Sequence, residues 1–181
     1  MLTRTTVSKS LQTCYKVANR DGTGSAYKRS YKTEGGALHL CISHRKRRRI
    51  NAELQESFSV GKAGVLIQAN DDEAGYACVP GTPLVGSRTG DRFVNGAFYE
   101  VVSPHGLIRD KLTDEIIETT PEKMAKHTCL AWGVVYHRPQ GLTVHDQKVV
   151  LHDLQSKFFS RPHLYAGLSR VTDGANIRIA E

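Results

Sequence analysis

The chain has 181 residues, a formal net charge of +7, 39% hydrophobic residues and 24% charged residues. That length holds one ordinary domain with a real core, and the charged fraction is that of a globular protein, not of a disordered tail. No apolar run approaches the length of a membrane span, and the opening MLTRTTVSKSLQTCYKV lacks the apolar stretch of a secretory signal.

Residues 1–36 are rich in Thr, Ser, Lys, Arg and Gly and show little periodicity. They read as a flexible basic N-terminal segment. ALHLCI (37–42) is a short apolar run of strand type. Ser43 follows as an N-cap, and HRKRRRINAELQESF (44–58) holds helix formers with no Gly or Pro. Ile50, Leu54 and Phe58, spaced by four, predict one buried stripe. GVLIQAN (64–70) reads as a strand or a short turn segment, and DDEAG (71–75) as a loop. The stretch 80–103 is punctuated by Gly, Pro and Asn. Within it Asn95-Gly96, between Phe93-Val94 and Phe98, signals a hairpin. FYEVVS (98–103) reads as a strand, and short β segments continue to about residue 119.

HTCLAWGVVYH (127–137) is apolar on both faces, which predicts one buried strand of a parallel sheet. KVVLHDL (148–154) is a second such strand. Ser160 and Pro162 frame a helix start, because proline in the first turn gives up no hydrogen bond. HLYAGLSRV (163–171) continues that helix, and ANIRIA (175–180) ends the chain as a strand. Strands alternating with helices predict an α/β fold.

Cys14, Cys41, Cys78 and Cys129 are far apart, with no C-x-x-C pair. No structural metal site is expected, and a reduced, intracellular setting is the default. The charge is uneven. Residues 1–62 hold 13 Lys/Arg and 4 Asp/Glu, a balance of +9, while residues 63–181 hold 12 and 14, a balance of −2. Such asymmetry suits a polyanion partner or a solvated basic tail. The run Arg45-Lys46-Arg47-Arg48-Arg49 sits at a helix N-terminus, where cations oppose the macrodipole. Phosphate contact, screened solvent exposure and a nuclear-import signal are three readings of it. Tyr15, Tyr27 and Tyr31, set among Lys and Arg, suit base stacking or a plain loop. Trp132 reads as core.

Four segments in order carry a family resemblance. LHLCISHRKRRRIN (38–51) is similar to a strand-turn-helix of the form iLxxtNxxvxxiN, with Asn51 at its final asparagine and Ser43-His44 in place of Thr-Asn. GTPLVGSRTGDRFVNGAFYEV (81–101) is similar to PVMxxxN…xxNGxxGxV, which opens a small inserted β barrel. LAWGVVYHRPQGLTV (130–144) resembles LAWAxTIHKSQGxTL, and HLYAGLSRV resembles YVALSRV. Together they resemble the C-terminal RecA-like domain of superfamily 1B (UvrD/RecD-like) DNA helicases, over roughly residues 37–181. The resemblance implies a RecA-like three-layer α/β sandwich with a mainly parallel sheet and a small inserted β-barrel-like module. It divides the chain into a first RecA-like part at 37–85, an insertion at 86–126 and a second RecA-like part at 127–181.

The resemblance also implies roles. Such helicases bind ATP between two RecA-like domains, and an arginine of the second reaches the γ-phosphate and stabilises charge on the transferring group. Arg170 holds that place, with Ser169 beside it to cap or orient the turn. Gln140 would relay between nucleotide and DNA, and Gly141 would allow the tight turn beside the nucleotide. His137, Arg138 and Thr143 would lie at single-stranded DNA, and Arg45, Arg47 and Arg48 would add phosphate contacts. The alternatives are a helix-end arginine paired with a surface carboxylate, a turn glutamine facing water, and a structural histidine at a strand end.

Two departures matter. Arg138-Pro139 replaces Lys-Ser of HKSQG, which keeps the charge and loses a hydroxyl and an N–H. Gly167 stands where alanine is common, which loosens the helix slightly. The 181 residues also contain no G-x-x-x-x-G-K followed by Ser or Thr: Gly61-Lys62 precedes Ala63, and Glu56 stands where the first glycine would be. The primary ligands of ATP and Mg²⁺ are therefore expected on an N-terminal RecA-like domain supplied in cis or in trans, and this chain alone is expected not to hydrolyse ATP. Single-stranded DNA is the expected partner, with no membrane association. A non-catalytic nucleic-acid-binding helicase fragment is the alternative.

Overall fold

A computed structural model describes residues 36–68, 74–138, 148–171 and 173–180. The elements run β1 (Leu38–Cys41), α1 (His44–Ser59), β2 (Val65–Ile67), β3 (Tyr76–Cys78), β4 (Pro83–Gly86), β5 (Phe98–Ser103), β6 (Leu107–Asp110), β7 (Ile116–Glu118), α2 (Pro121–His127), β8 (Thr128–Leu130), β9 (Gly133–Val135), β10 (Val149–Leu151), α3 (Arg161–Leu168), a 3₁₀ turn (Gly174–Asn176) and β11 (Ile177–Ile179). This is a mixed α/β chain. It divides into two units: residues up to Ile42 together with those from Val135 onward, and Ser43–Val134.

The first unit is built on a parallel sheet. β1 pairs with β10 (Leu38 with Val149, Leu40 with Leu151), and β10 pairs with β11 (Val149 with Ile177), all parallel. The sheet order is β11-β10-β1-β9. Every residue of β1 and β10 is buried, as expected of parallel strands covered on both faces. Tyr136, just past β9, donates its N–H to the Cys41 carbonyl at 3.1 Å. Cys41 fills the interior as a small apolar side chain.

The second unit begins at the helix cap. Ser43 is extended, and its hydroxyl accepts the Lys46 N–H at 3.2 Å, which satisfies one orphan donor of α1. Ile50 is buried, and Leu54 and Phe58 pack against the core formed by Leu84, Tyr99, Ile108 and Trp132. β2 and β3 form an antiparallel pair. A five-stranded antiparallel sheet follows in the order β7-β6-β5-β4-β8. β7 and β8 are its edges, so among the described residues the sheet stays open and does not close as a barrel.

Three local expectations need correction. The apolar run 127–137 is not one parallel strand. His127 ends α2, Thr128–Leu130 pairs antiparallel with β4, and Gly133–Val135 joins the parallel sheet. Ala131 and Trp132 make the break, and both are buried; burial on both faces cannot reveal which sheet a strand joins. The Asn95-Gly96 turn does not pair Phe93-Val94 with Phe98. It returns the chain to β4, with Gly86 N–H donating to the Ala97 carbonyl at 2.8 Å and Gly96 N–H to the Gly86 carbonyl at 2.9 Å. Residues 90–93 form a tight turn of their own, with Asp91 and Arg92 at φ 50° and 71°. Finally, α3 ends at Leu168 and does not carry on through Val171.

Candidate functional site

In the first unit the local chain chemistry places Arg170. Ser160 opens α3, its N–H donating to His163 Nδ1 at 3.1 Å, and Pro162 lies in the first turn. Gly167 sits on the inward face; a Cβ there would lie 2.6 Å from Leu151 Cδ2 and 3.4 Å from Tyr136 Cε1. The glycine that reads as a loosened helix from sequence therefore permits close packing on the sheet. The helix stops at Ser169 (φ −74°, ψ −4°), and Arg170 follows as the first residue of the turn. Its guanidinium folds back on the helix end. Nε donates to the Ala166 carbonyl at 3.0 Å and Nη2 to Ser169 Oγ at 2.7 Å. Ser169 thus orients Arg170 directly. A cation beside the unsatisfied carbonyls of a helix C-terminus is favourably placed.

His137 is exposed just beyond β9, and Arg138 beside it is half-buried with its N–H donating to the Val135 carbonyl at 2.9 Å. Pro139, Gln140, Gly141 and Thr143 lie outside the described residues.

The carboxyl ends of the sheet strands carry a polar cluster that the sequence reading passed over. His39 Nδ1 lies 3.2 Å from His152 Nε2, both side chains buried. Burial pulls the His39 pKa down to about 4. Tyr136 donates its hydroxyl to the His152 carbonyl at 2.7 Å, and burial, together with the Asp153 charge, pushes its pKa upward. The Ile42 N–H donates to Asp153 Oδ2 at 3.0 Å, and Asp153 stands in the left-handed region at φ 63°. In open α/β sheets ligands bind outside these strand ends. The signal in sequence was a histidine inside each buried run, at LHLC (38–41) and VVLHD (149–153).

In the second unit, the basic run divides by helical period. Arg45, Arg48 and Arg49 are exposed, and Arg49 Nε lies 3.7 Å from Glu53 Oε1 on the surface. Arg47 is 1% exposed, and its Nη1 donates to Cys129 Sγ at 3.3 Å. The sequence reading set Arg47 with Arg45 and Arg48 on one phosphate-facing surface; the fold turns Arg47 into the interior. It heads a buried polar stripe at spacing four. Asn51 Nδ2 donates to the Leu130 carbonyl at 2.9 Å, and its Oδ1 accepts the Gly133 N–H at 2.6 Å. Gln55 donates to the Ala77 carbonyl at 2.6 Å and accepts from Trp132 Nε1 at 2.8 Å. Asn51 satisfies backbone groups left over where the chain breaks between β8 and β9, and Gln55 ties the β3 carbonyl of Ala77 to the Trp132 indole.

Among the described residues no group of three His, Cys, Asp or Glu side chains gathers as a metal site. Nor, among the described residues, is any helix long and apolar enough to cross a membrane.

No family model matches the sequence, and no curated protein matches it. Solved structures do match. The Pif1 helicase from Bacteroides in complex with ADP-AlF3 and ssDNA matches at 17% identity and a TM-score of 0.59, over 96% of this chain and 45% of that one. A structure of two coordinating Pif1 helicases unwinding forked dsDNA matches at 17% identity and a TM-score of 0.59, over 95% and 42%. The Pif1 helicase from Candida albicans matches at 16% identity and a TM-score of 0.55, over 94% and 53%. The chain spans about half the length of these proteins. Over nearly all of its own length it shares the mixed α/β, RecA-like fold of these Pif1 helicase structures.

Proposed function

We propose that these residues form the C-terminal motor-domain portion of an ATP-dependent DNA helicase. The observation that carries this reading is the fold likeness to Pif1 helicases over 94–96% of the chain, joined to four family motifs in order. Residues 37–85 and 127–181 would make the RecA-like body, with 86–126 inserted. The phosphate loop and the Mg²⁺ carboxylate would come from another RecA-like domain, since this sequence holds no G-x-x-x-x-G-K followed by Ser or Thr. When bound there, ATP and Mg²⁺ would supply the phosphoryl group and its charge neutralisation. Arg170 would leave its seat on the Ala166 carbonyl and reach the γ-phosphate, with Ser169 guiding the swing and Gln140 and Gly141 shaping the neighbouring turn. His137, Arg138 and Thr143 would contact single-stranded DNA, with Arg45 and Arg48 adding exposed phosphate contacts. Closure around the nucleotide and reopening after hydrolysis would step the strand.

The test is Arg170→Ala in an enzyme containing both RecA-like domains. ATPase turnover is expected to fall by roughly 10³-fold or more, with single-stranded DNA affinity changed by no more than about twofold. Equal loss of both, or loss of neither, contradicts the role.

A second reading is a nucleic-acid-binding helicase fragment with no motor action. Pro139 in place of the motif serine and the local hydrogen bonds of Arg170 favour it. It predicts salt-sensitive binding of single-stranded DNA by the chain, with turnover indifferent to Arg170.

A further inference from the structure

The turn before α3 and the helix itself turn some side chains inward and leave others exposed. Phe159 and His163 face inward, with ring centroids 5.5 Å from Tyr136 in each case and 5.8 Å from each other. Gly167, four residues on, continues that face against Leu151 and Tyr136. Phe158, Arg161 and Tyr165 are left outside. Phe158 is 67% exposed and Tyr165 74% exposed, and Arg161 is exposed as well. Arg161 and Tyr165 are four apart and neighbour one another on the helix surface. Lys157 Nζ lies 5.1 Å from the centroid of the Phe158 ring.

The charge of this stretch is one-sided. Between Asp153 and Asp173 there is no carboxylate side chain, while Lys157, Arg161 and Arg170 are all cationic. That contrasts with the balance of −2 over residues 63–181 as a whole. Among the described residues, neither Lys157 nor Arg161 pairs with a carboxylate. A purely apolar partner would desolvate both cations without compensation. A polyanion with free aromatic faces answers the rings and the charges together. Bases in a duplex are stacked on one another and offer no such face; unpaired bases do.

We propose that Lys157, Phe158, Arg161 and Tyr165 form a binding strip for single-stranded nucleic acid, with the two rings stacking on unpaired bases and the two cations neutralising backbone phosphates. This rests on the proposed function only in expecting a single strand as partner. Tyr165 lies in the HLYAGLSRV segment, but the roles assigned there fall on Ser169 and Arg170.

The experiment is fluorescence anisotropy of labelled oligo(dT) with the full chain, alongside a duplex of equal length. Phe158→Ala with Tyr165→Ala is expected to weaken oligo(dT) binding by about 30-fold or more, from the loss of two stacking partners. Duplex binding should change far less. Lys157→Ala and Arg161→Ala should each lower the slope of log affinity against log salt by about 0.7. Tyr165→Trp should keep affinity and add an indole fluorescence that oligo(dT) quenches, a direct readout that does not depend on how well the alanine variants fold. Wild-type binding with unchanged affinity in the double variant and no quenching overturns the strip and leaves the helicase reading standing. Equal losses on single strand and duplex overturn the stacking role. No binding of oligo(dT) by the wild-type chain overturns both.

Discussion

Two helices carry the arginines of interest, and they carry them at opposite ends. In α1 the basic run occupies the first turns, against the macrodipole, with no acidic residue there to offset it. In the first unit Arg170 lies just past the C-terminus of α3, where the field favours it and the Ala166 carbonyl accepts from it. The first arrangement is costly and divides its members, turning Arg47 inward and leaving Arg45 and Arg48 in solvent. The second is locally satisfied. Residue type alone said nothing of this; the helical period and the position of the helix ends decided where each guanidinium points.

The largest expected effect tests the inward arginine. Arg47→Ala should cost about 3 kcal/mol of stability, read from urea midpoints, because it opens a cavity beneath α1. Arg47→Met should recover most of that, since a buried cation is replaceable by an apolar side chain of similar length. An Arg47→Ala chain as stable as wild type would break the contrast with Arg48. Asn51→Ala comes next, at about 2 kcal/mol, since it strands the Leu130 carbonyl and the Gly133 N–H.

The first unit should show its own signature in pH. Burial holds the folded His39 pKa at about 4, below the ordinary histidine value of 6.5, so the native state holds His39 neutral while the unfolded chain takes up a proton. Its contribution is complete above pH 6.5 and is lost as pH falls from 6.5 towards 4. His152 faces His39, while the Tyr136 hydroxyl donates to the His152 carbonyl and Asp153 accepts the Ile42 N–H. His39→Gln should flatten that part of the stability curve; an unchanged pH profile would show that the histidine pair contributes nothing there. The smallest stability effect belongs to the exposed arginines. Arg45→Ala with Arg48→Ala should shift stability by no more than about 0.5 kcal/mol. It should lower the salt slope of single-strand binding by up to about 1.4, from two phosphate contacts. An unchanged slope would leave Arg45 and Arg48 as a solvated face.

Much of the local structure was legible in residue order. Ser43 before an uninterrupted run of helix formers marked the start of α1, and FYEVVS is β5 from first residue to last. Ser160 and Pro162 marked the start of α3. The site was legible only in part. Motif position singled out His137, Arg138, Ser169 and Arg170 as candidates whose roles are proposals, while Gln140, Gly141 and Thr143 lie outside the described residues. The His39–His152 pair was not legible, because its members are 113 residues apart and meet only when β1 and β10 pair in register.

What the sequence determined by itself was local: caps, breakers, the apolar runs, and the order of four motifs. These depend on side chains within a few residues of one another, so spacing suffices to read them. Only the tertiary structure decided which sheet each half of HTCLAWGVVYH joins, that Arg47 leaves the basic surface, and that Gly167 packs on Leu151. Each of those depends on a partner far away in the chain. The free energy of burying or satisfying a group is set by that partner, not by the group's neighbours in sequence.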